Sequence, residues 1–177
     1  MAERFEYYIT GDDLNQTVYV DRWLAQTFTP ATAHKITSVK LLLSRDGLPG
    51  EMTVSIRETD ASGHPTGGDL CSGTSDSDTL VETPSSGWRE ITLGAGYDLN
   101  ADQKYAIVLR CPTSGKFSNT LIYRQDASSP TYAGGWFEYS NNAGVDWSTN
   151  DAVDGMFEEW GEEIVAAAGR SFGFIIG

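Results

Sequence analysis

Along most of the chain, apolar residues recur with a period of two rather than 3.6. In "ITSVKLLLS", Val39, Leu41 and Leu43 share one face. In "MTVSIRE", Met52, Val54 and Ile56 alternate with Thr53, Ser55 and Arg57, the pattern of a strand with one wet face. "RDGLPGE", Arg45 to Glu51, lies between the two runs. Its Asp-Gly and Pro-Gly pairs are strong turn chemistry, so residues 36–58 are expected to form a β-hairpin. One or two strands are expected within 17–30. Others are expected at 87–93, 119–125, 135–140 and 155–161. "KYAIVLR", 104–110, is apolar almost throughout and should lie in the middle of a sheet.

The connections "TDASGHPTGGDL" and "GAGYDLNADQ" are rich in Gly, Asp and Pro. Strands separated by such turns roughly every 10–15 residues predict an all-β fold, a single antiparallel β-sandwich of jelly-roll type, and not βαβ units. Only "EEIVAAAGR", 162–170, has helical composition, and Gly169 would end it. "SFGFIIG" then returns to an apolar, strand-like run. The expected organisation is an N-terminal arm, 1–16, a sandwich, 17–161, and a C-terminal arm, 162–177.

Composition narrows the partners. The chain has 177 residues, which suits one domain. Aromatics at 11% and charged residues at 21% argue against disorder. The net charge is −13, from 25 acids and 12 bases. Such a surface repels phosphate backbones and anionic lipid, so neither nucleic acid nor membrane is an expected partner. "MAERFEYYITGDD" has no apolar run of the signal-peptide kind, so export by this sequence is not expected. Cys71 and Cys111 form no C-x-x-C pair. They are expected as two buried free thiols, with one disulfide as the alternative in an oxidising exterior.

Several motifs bear on chemistry. "SNNAGVDW" has the spacing of a degenerate Asp-box, with Ser140, Gly144 and Trp147 in place and Asn142 where Asp is usual. Physically this is a braced hairpin: Ser and Asn bond nearby backbone, Gly supplies a positive φ, and Trp lies under the loop. One copy in a chain too short for a propeller excludes a sialidase. Glu138, Glu158 and Glu159 lie among aromatics, but alternation puts Glu158 and Glu159 on opposite faces, so they cannot be a glycosidase pair. His34 and His64 are the only histidines and no G-x-S-x-G elbow occurs. No catalytic residue is therefore expected.

Structural calcium is the one cofactor considered, since calcium takes 6–8 oxygen ligands. Asp146, Asp151 and Asp154 are the chosen carboxylates, with Asp12–Asp13 and Asp76–Asp78 as alternatives; none has EF-hand spacing. For a glycan the expected site is the aromatic run Tyr132, Trp136, Tyr139 and Trp147, with Arg124 and Asn141 close in sequence. Trp23, Trp88 and Trp160 are expected in the core.

Taken together, "AQTFTP…ITSVKLLLSRDGLPGEMTVSIRETDASGHPTGGDL", the later "YAIVLR" and "YAGGW…SNNAGVDW…DGMFEEWG" resemble the choice-of-anchor R type β-sandwich domain. That module occurs in bacterial surface proteins and in phage and environmental viral sequences. The resemblance covers about residues 23–161. It implies a jelly roll similar to carbohydrate-binding modules and assigns no binding or catalytic residues. An outwardly displayed module without an export signal suits a virion, which leaves the cell by lysis. The leading expectation is thus a non-catalytic structural or interaction protein on a virion surface, a decoration, tail or fibre component. It would dock on neighbouring subunits or its own copies through its terminal arms by strand addition. The alternative is a carbohydrate-binding module of a bacterial surface or secreted protein. A glycoside hydrolase stands third.

Overall fold

In the computed structural model, which describes residues 1–164, two antiparallel sheets lie face to face over one apolar core. The first sheet holds seven strands: β1 (Glu3–Tyr8), β2 (Leu14–Val18), β4 (His34–Asp46), β7 (Gly87–Leu99), β9 (Thr120–Asp126), β12 (Asp154–Gly155) and β13 (Phe157–Glu163). The second holds β3 (Trp23–Phe28), β5 (Glu51–Thr59), β6 (Pro65–Asp76), β8 (Tyr105–Arg110), β10 (Phe137–Ser140) and β11 (Ser148–Asn150), in the order β11-β10-β3-β8-β5-β6. From β3 to β10 the chain changes sheet at every connection except β5 to β6, the crossing habit of a jelly roll. The expected β-sandwich is what forms.

Alternation explains the core. Val39, Leu41 and Leu43 of β4 are fully buried, as are Met52, Val54 and Ile56 of β5. Tyr105, Ile107 and Leu109 of β8 point inward with them, and β8 lies between β3 and β5, as its continuous apolar run predicts. A buried Leu or Ile side chain contributes about 1.5–3 kcal/mol, so these positions are a large part of what holds the two sheets together.

Residues 36–58 do not form the expected hairpin. β4 and β5 belong to different sheets, and "DGLPG" arches from one to the other. Gly47 and Gly50 adopt positive φ of 68° and 87°. The arch is held from outside: Leu48 N–H donates to Asn119 Oδ1 at 2.9 Å and Gly50 N–H to Asp78 Oδ1 at 2.7 Å. Both strands need their apolar faces buried, and facing one another across the core satisfies both at once.

Residues 1–16 are likewise no arm. β1 pairs with β13 and β2 with β9, inside the chain's own sheet. At the other end Glu162 and Glu163 continue β13 as strand rather than opening a helix, and the rest of the expected helix and C-terminal arm, 165–177, lies outside the described residues. Trp88 is 41% exposed on the outer face instead of in the core, and Trp160 is half-buried, donating Nε1–H to Glu158. Trp23 also leaves the main core for a smaller cluster described below. Cys71 and Cys111 are free thiols, Cys111 buried and Cys71 half-buried. Burial pushes the Cys71 thiol up to about 12, which leaves it unreactive near neutral pH.

The second half of the "TDASGHPTGGDL" connection is not loop but the start of β6, a twelve-residue strand. It closes the sandwich against β7: a Cβ added at Gly73 would lie 1.9 Å from the Thr92 carbonyl oxygen. Only glycine allows the two backbones so near. Gly73→Ala should therefore cost about 2–3 kcal/mol, read as a fall in the urea midpoint. An unchanged midpoint would show that the edges stand further apart.

Candidate functional site

An open cleft of about 230 Å³ lies at one end of the six-stranded sheet, lined by Thr59, Asp60, Ala61, Ser62, Gly63, Lys104 and Trp136. Three connections build it. Gly135 brings the chain flush against β3, where any Cβ would meet the Thr27 carbonyl oxygen at 2.1 Å. Trp136 is then fixed by Thr27, whose Oγ1 accepts from Trp136 N–H at 2.8 Å and whose N–H donates to Trp136 O at 3.0 Å. The β5–β6 turn supplies the opposite wall. Asp60 Oδ1 accepts from Ser62 N–H at 2.8 Å and His64 N–H at 3.0 Å, and these bonds hold its carboxyl below the usual range. Gly63, at φ 87°, lies against the indole; a Cβ there would stand 2.6 Å from Trp136 Cζ2. From the stretch before β8, Lys104 places its Nζ 3.3 Å from the centroid of the Trp136 ring.

Beneath the cleft Glu138 is fully buried, with both oxygens engaged. His64 Nδ1–H donates to Oε2 at 2.8 Å and Thr149 Oγ1–H to Oε1 at 2.6 Å. Burial pulls the Lys104 ammonium's pKa down, and the Glu138 carboxylate offsets part of that. Trp136 Nε1–H is buried without a partner.

Further along the same outer face, Ala25, Ala106 and Val108 form a small apolar floor beneath Trp23 and Trp147. Arg57 and Arg110 stand 5.4 and 5.2 Å over Trp23, and Asp69 joins them. Burial pushes the Asp69 carboxyl up, but Arg110, Arg57 and the Ser55 hydroxyl outweigh it and hold it at about 2. The "SNNAGVDW" loop closes over this cluster as the braced hairpin expected. Ser140 Oγ accepts from Gly144 N–H at 2.9 Å, and Asn142 Oδ1 accepts from Asp146 N–H at 2.9 Å. The indole directly under Gly144 is Trp23, not Trp147: a Cβ on Gly144 would lie 2.7 Å from Trp23 Cε3.

The six expected glycan residues do not converge. Trp136 alone lines the cleft. Trp147 covers the apolar floor on the same sheet. Tyr132 points inward, edge-on to Phe157 at 5.2 Å, with its hydroxyl donating to Glu6 at 3.0 Å. Tyr139 packs on the main core beside Arg22, which also donates to Asn141 Oδ1 at 3.3 Å. Arg124 lies on the other sheet, bound to Asp12 and Asn15. Nearness in sequence misleads here because successive residues of a strand face opposite ways.

Asp146, Asp151 and Asp154 do not form the expected calcium site. Asp146 is taken by Asn142 on the exposed loop, Asp151 is exposed, and Asp154 is buried, accepting from Tyr132 N–H at 2.9 Å. Among the described residues no three His, Cys, Asp or Glu side chains are placed to hold a metal ion.

The acids at 158 and 159 point to opposite faces as alternation requires. Glu158 joins an outer ladder with Arg4, at 2.9 Å, and Lys40, at 3.9 Å. Glu159 is fully buried, 2.8 Å from His34 Nε2. His34 Nδ1 faces the Thr32 carbonyl at 2.8 Å, which can only accept, so Nδ1 carries a proton and the Nε2–Oε1 contact carries the pair's other one. Burial alone would lower the His34 pKa, but the Glu159 carboxylate and the Thr32 carbonyl raise it above 6.5, while burial raises Glu159. A raised histidine pKa adds stability that is fully present below the unfolded value and is lost as pH rises through the folded one. Stability should therefore fall above pH 6.5, by at most about 1.4 kcal/mol per pH unit. Urea midpoints across that range check this; a midpoint that rises with pH there contradicts it.

The fold and the cleft define an all-β sandwich with an aromatic, polar-lined recess at a sheet end. No protein-family model matches the chain, and no curated protein matches its sequence.

Proposed function

We propose that this chain is a non-catalytic carbohydrate-binding β-sandwich module and that the Trp136 cleft receives its ligand. The observation that carries this reading is the grouping of an indole with an ammonium, a carboxylate and a hydroxyl around one open recess. A sugar offers an apolar ring face and a fringe of hydroxyls, and those groups answer both. Size favours a small occupant. Pockets for drug-sized ligands run about 300–1,000 Å³, and this one, near 230 Å³, suits a single ring.

The proposed setting is an exterior surface, of a virion or a bacterium, in line with the resemblance to choice-of-anchor R type domains. β1 and β2 are paired within the chain's own sheet, so docking among virion subunits from this end would use the free side of an edge strand and not an unpaired arm. A glycan array with the intact chain and a Trp136→Ala variant tests the binding proposal. Hits that vanish in the variant support it; hits that persist remove the cleft from the account.

A further inference from the structure

The cleft's polar groups are not equally satisfied, and the difference points to a class of ligand. Asp60 Oδ1 holds two backbone N–H groups, and Glu138 holds His64 and Thr149. Both carboxylates thus already have donors. On the same face Arg57 and Arg110 share Asp69. Among these charged groups Lys104 is the exception. Among the described residues its Nζ has no acceptor within ion-pair or hydrogen-bond distance; it rests on the face of Trp136, and the buried Glu138 carboxylate that acts on it is already engaged by His64 and Thr149. This occurs in a chain with 25 acids and 12 bases, where a carboxylate partner would be easy to supply. An ammonium offers three donors, and one left partly desolvated without an acceptor is costly.

We infer that the Trp136 cleft is built for a sugar carrying one carboxylate, a uronic acid residue, with the carboxylate received by Lys104 and the ring lying beside the indole. The inference rests on the carbohydrate-binding reading above. Asp60 limits it usefully. Its carboxylate lines the same cleft, and the chain carries a net charge of −13, so a dense polyanion is repelled far more strongly than a single carboxylate aimed at Lys104. An ammonium bound to a carboxylate gains Coulomb attraction between full charges as well as the hydrogen bond, so the carboxylate gains more from Lys104 than a hydroxyl does.

Isothermal titration of the intact protein with glucuronic acid and with glucose tests this. Glucuronic acid should bind at least about tenfold more tightly, and raising salt from about 50 to about 500 mM should weaken it alone. In Lys104→Gln the preference should collapse while the melting temperature stays close to that of the parent, and Lys104→Arg should keep the preference. Equal binding of the two sugars, or a preference that survives Lys104→Gln, overturns the uronate inference and leaves sugar binding in place. Failure of both sugars to bind overturns the uronate inference, and an array without hits removes the carbohydrate reading with it.

Discussion

Glu159→Ala should cost about 3–5 kcal/mol, the largest loss expected from any polar residue of this chain. Glu159 and His34 have no exposed side-chain surface. The imidazole is pinned on every side: Phe5 stacks on it at 3.7 Å with planes 1° apart, Thr32 accepts from Nδ1, and Gly161 closes within 2.8 Å of Cδ2 when given a Cβ. Removing the carboxylate takes away the hydrogen-bond partner of Nε2. The variant must either bury an unpaired charge or strand a ring nitrogen without a partner. Replacing both partners with apolar residues of similar size, His34→Phe with Glu159→Leu, should recover much of the loss, because a buried pair contributes little beyond its own desolvation. Urea unfolding of the single and double variants separates the outcomes. A single-variant loss below about 1 kcal/mol would mean that the pair is hydrated rather than sealed.

Trp136→Ala should weaken sugar binding by roughly 30-fold or more. Tryptophans that anchor a ligand typically carry at least about 2 kcal/mol, and each 1.4 kcal/mol is tenfold in affinity. The indole is the one aromatic group lining the cleft, and it also seats Lys104. Its loss removes the apolar surface and releases the ammonium to solvent, so both halves of the recognition fail. The fold should survive, because the side chain stands outside the main core and its backbone bonds to Thr27 remain. Titration and a thermal melt on the same sample distinguish a lost site from a lost fold. Trp147 makes the useful control, since it covers Ala25, Ala106 and Val108 and does not line the cleft.

Period-two alternation made the sandwich legible from sequence. Every residue placed inward on 39–43 and 52–56 is buried, and the opposed directions of Glu158 and Glu159 follow from the same rule. The "SNNAGVDW" brace was legible too, because its bonds are local. Pairing was not. Turn residues such as Asp46-Gly47 and Pro49-Gly50 say that the chain reverses, not whether it returns to the same sheet or crosses the core. Residues 1–16 read as an arm because edge strands such as β1 and β2 bury few side chains and show little alternation. The cleft was least legible of all. Asp60, Lys104 and Trp136 come from three connections far apart in sequence, and only strand order brings them together. The one local sign was the Asp60 turn "TDASGHP", whose side chain folds back on its own backbone.

The most direct test of the carbohydrate-binding proposal is a two-dimensional amide NMR titration of the intact chain with the saccharide that a glycan array selects. The cleft account predicts shifts concentrated on the amides of Asp60 to Gly63 and Lys104 and on the Trp136 indole N–H. An array without hits, or shifts centred on Arg124 and the opposite sheet, would contradict it.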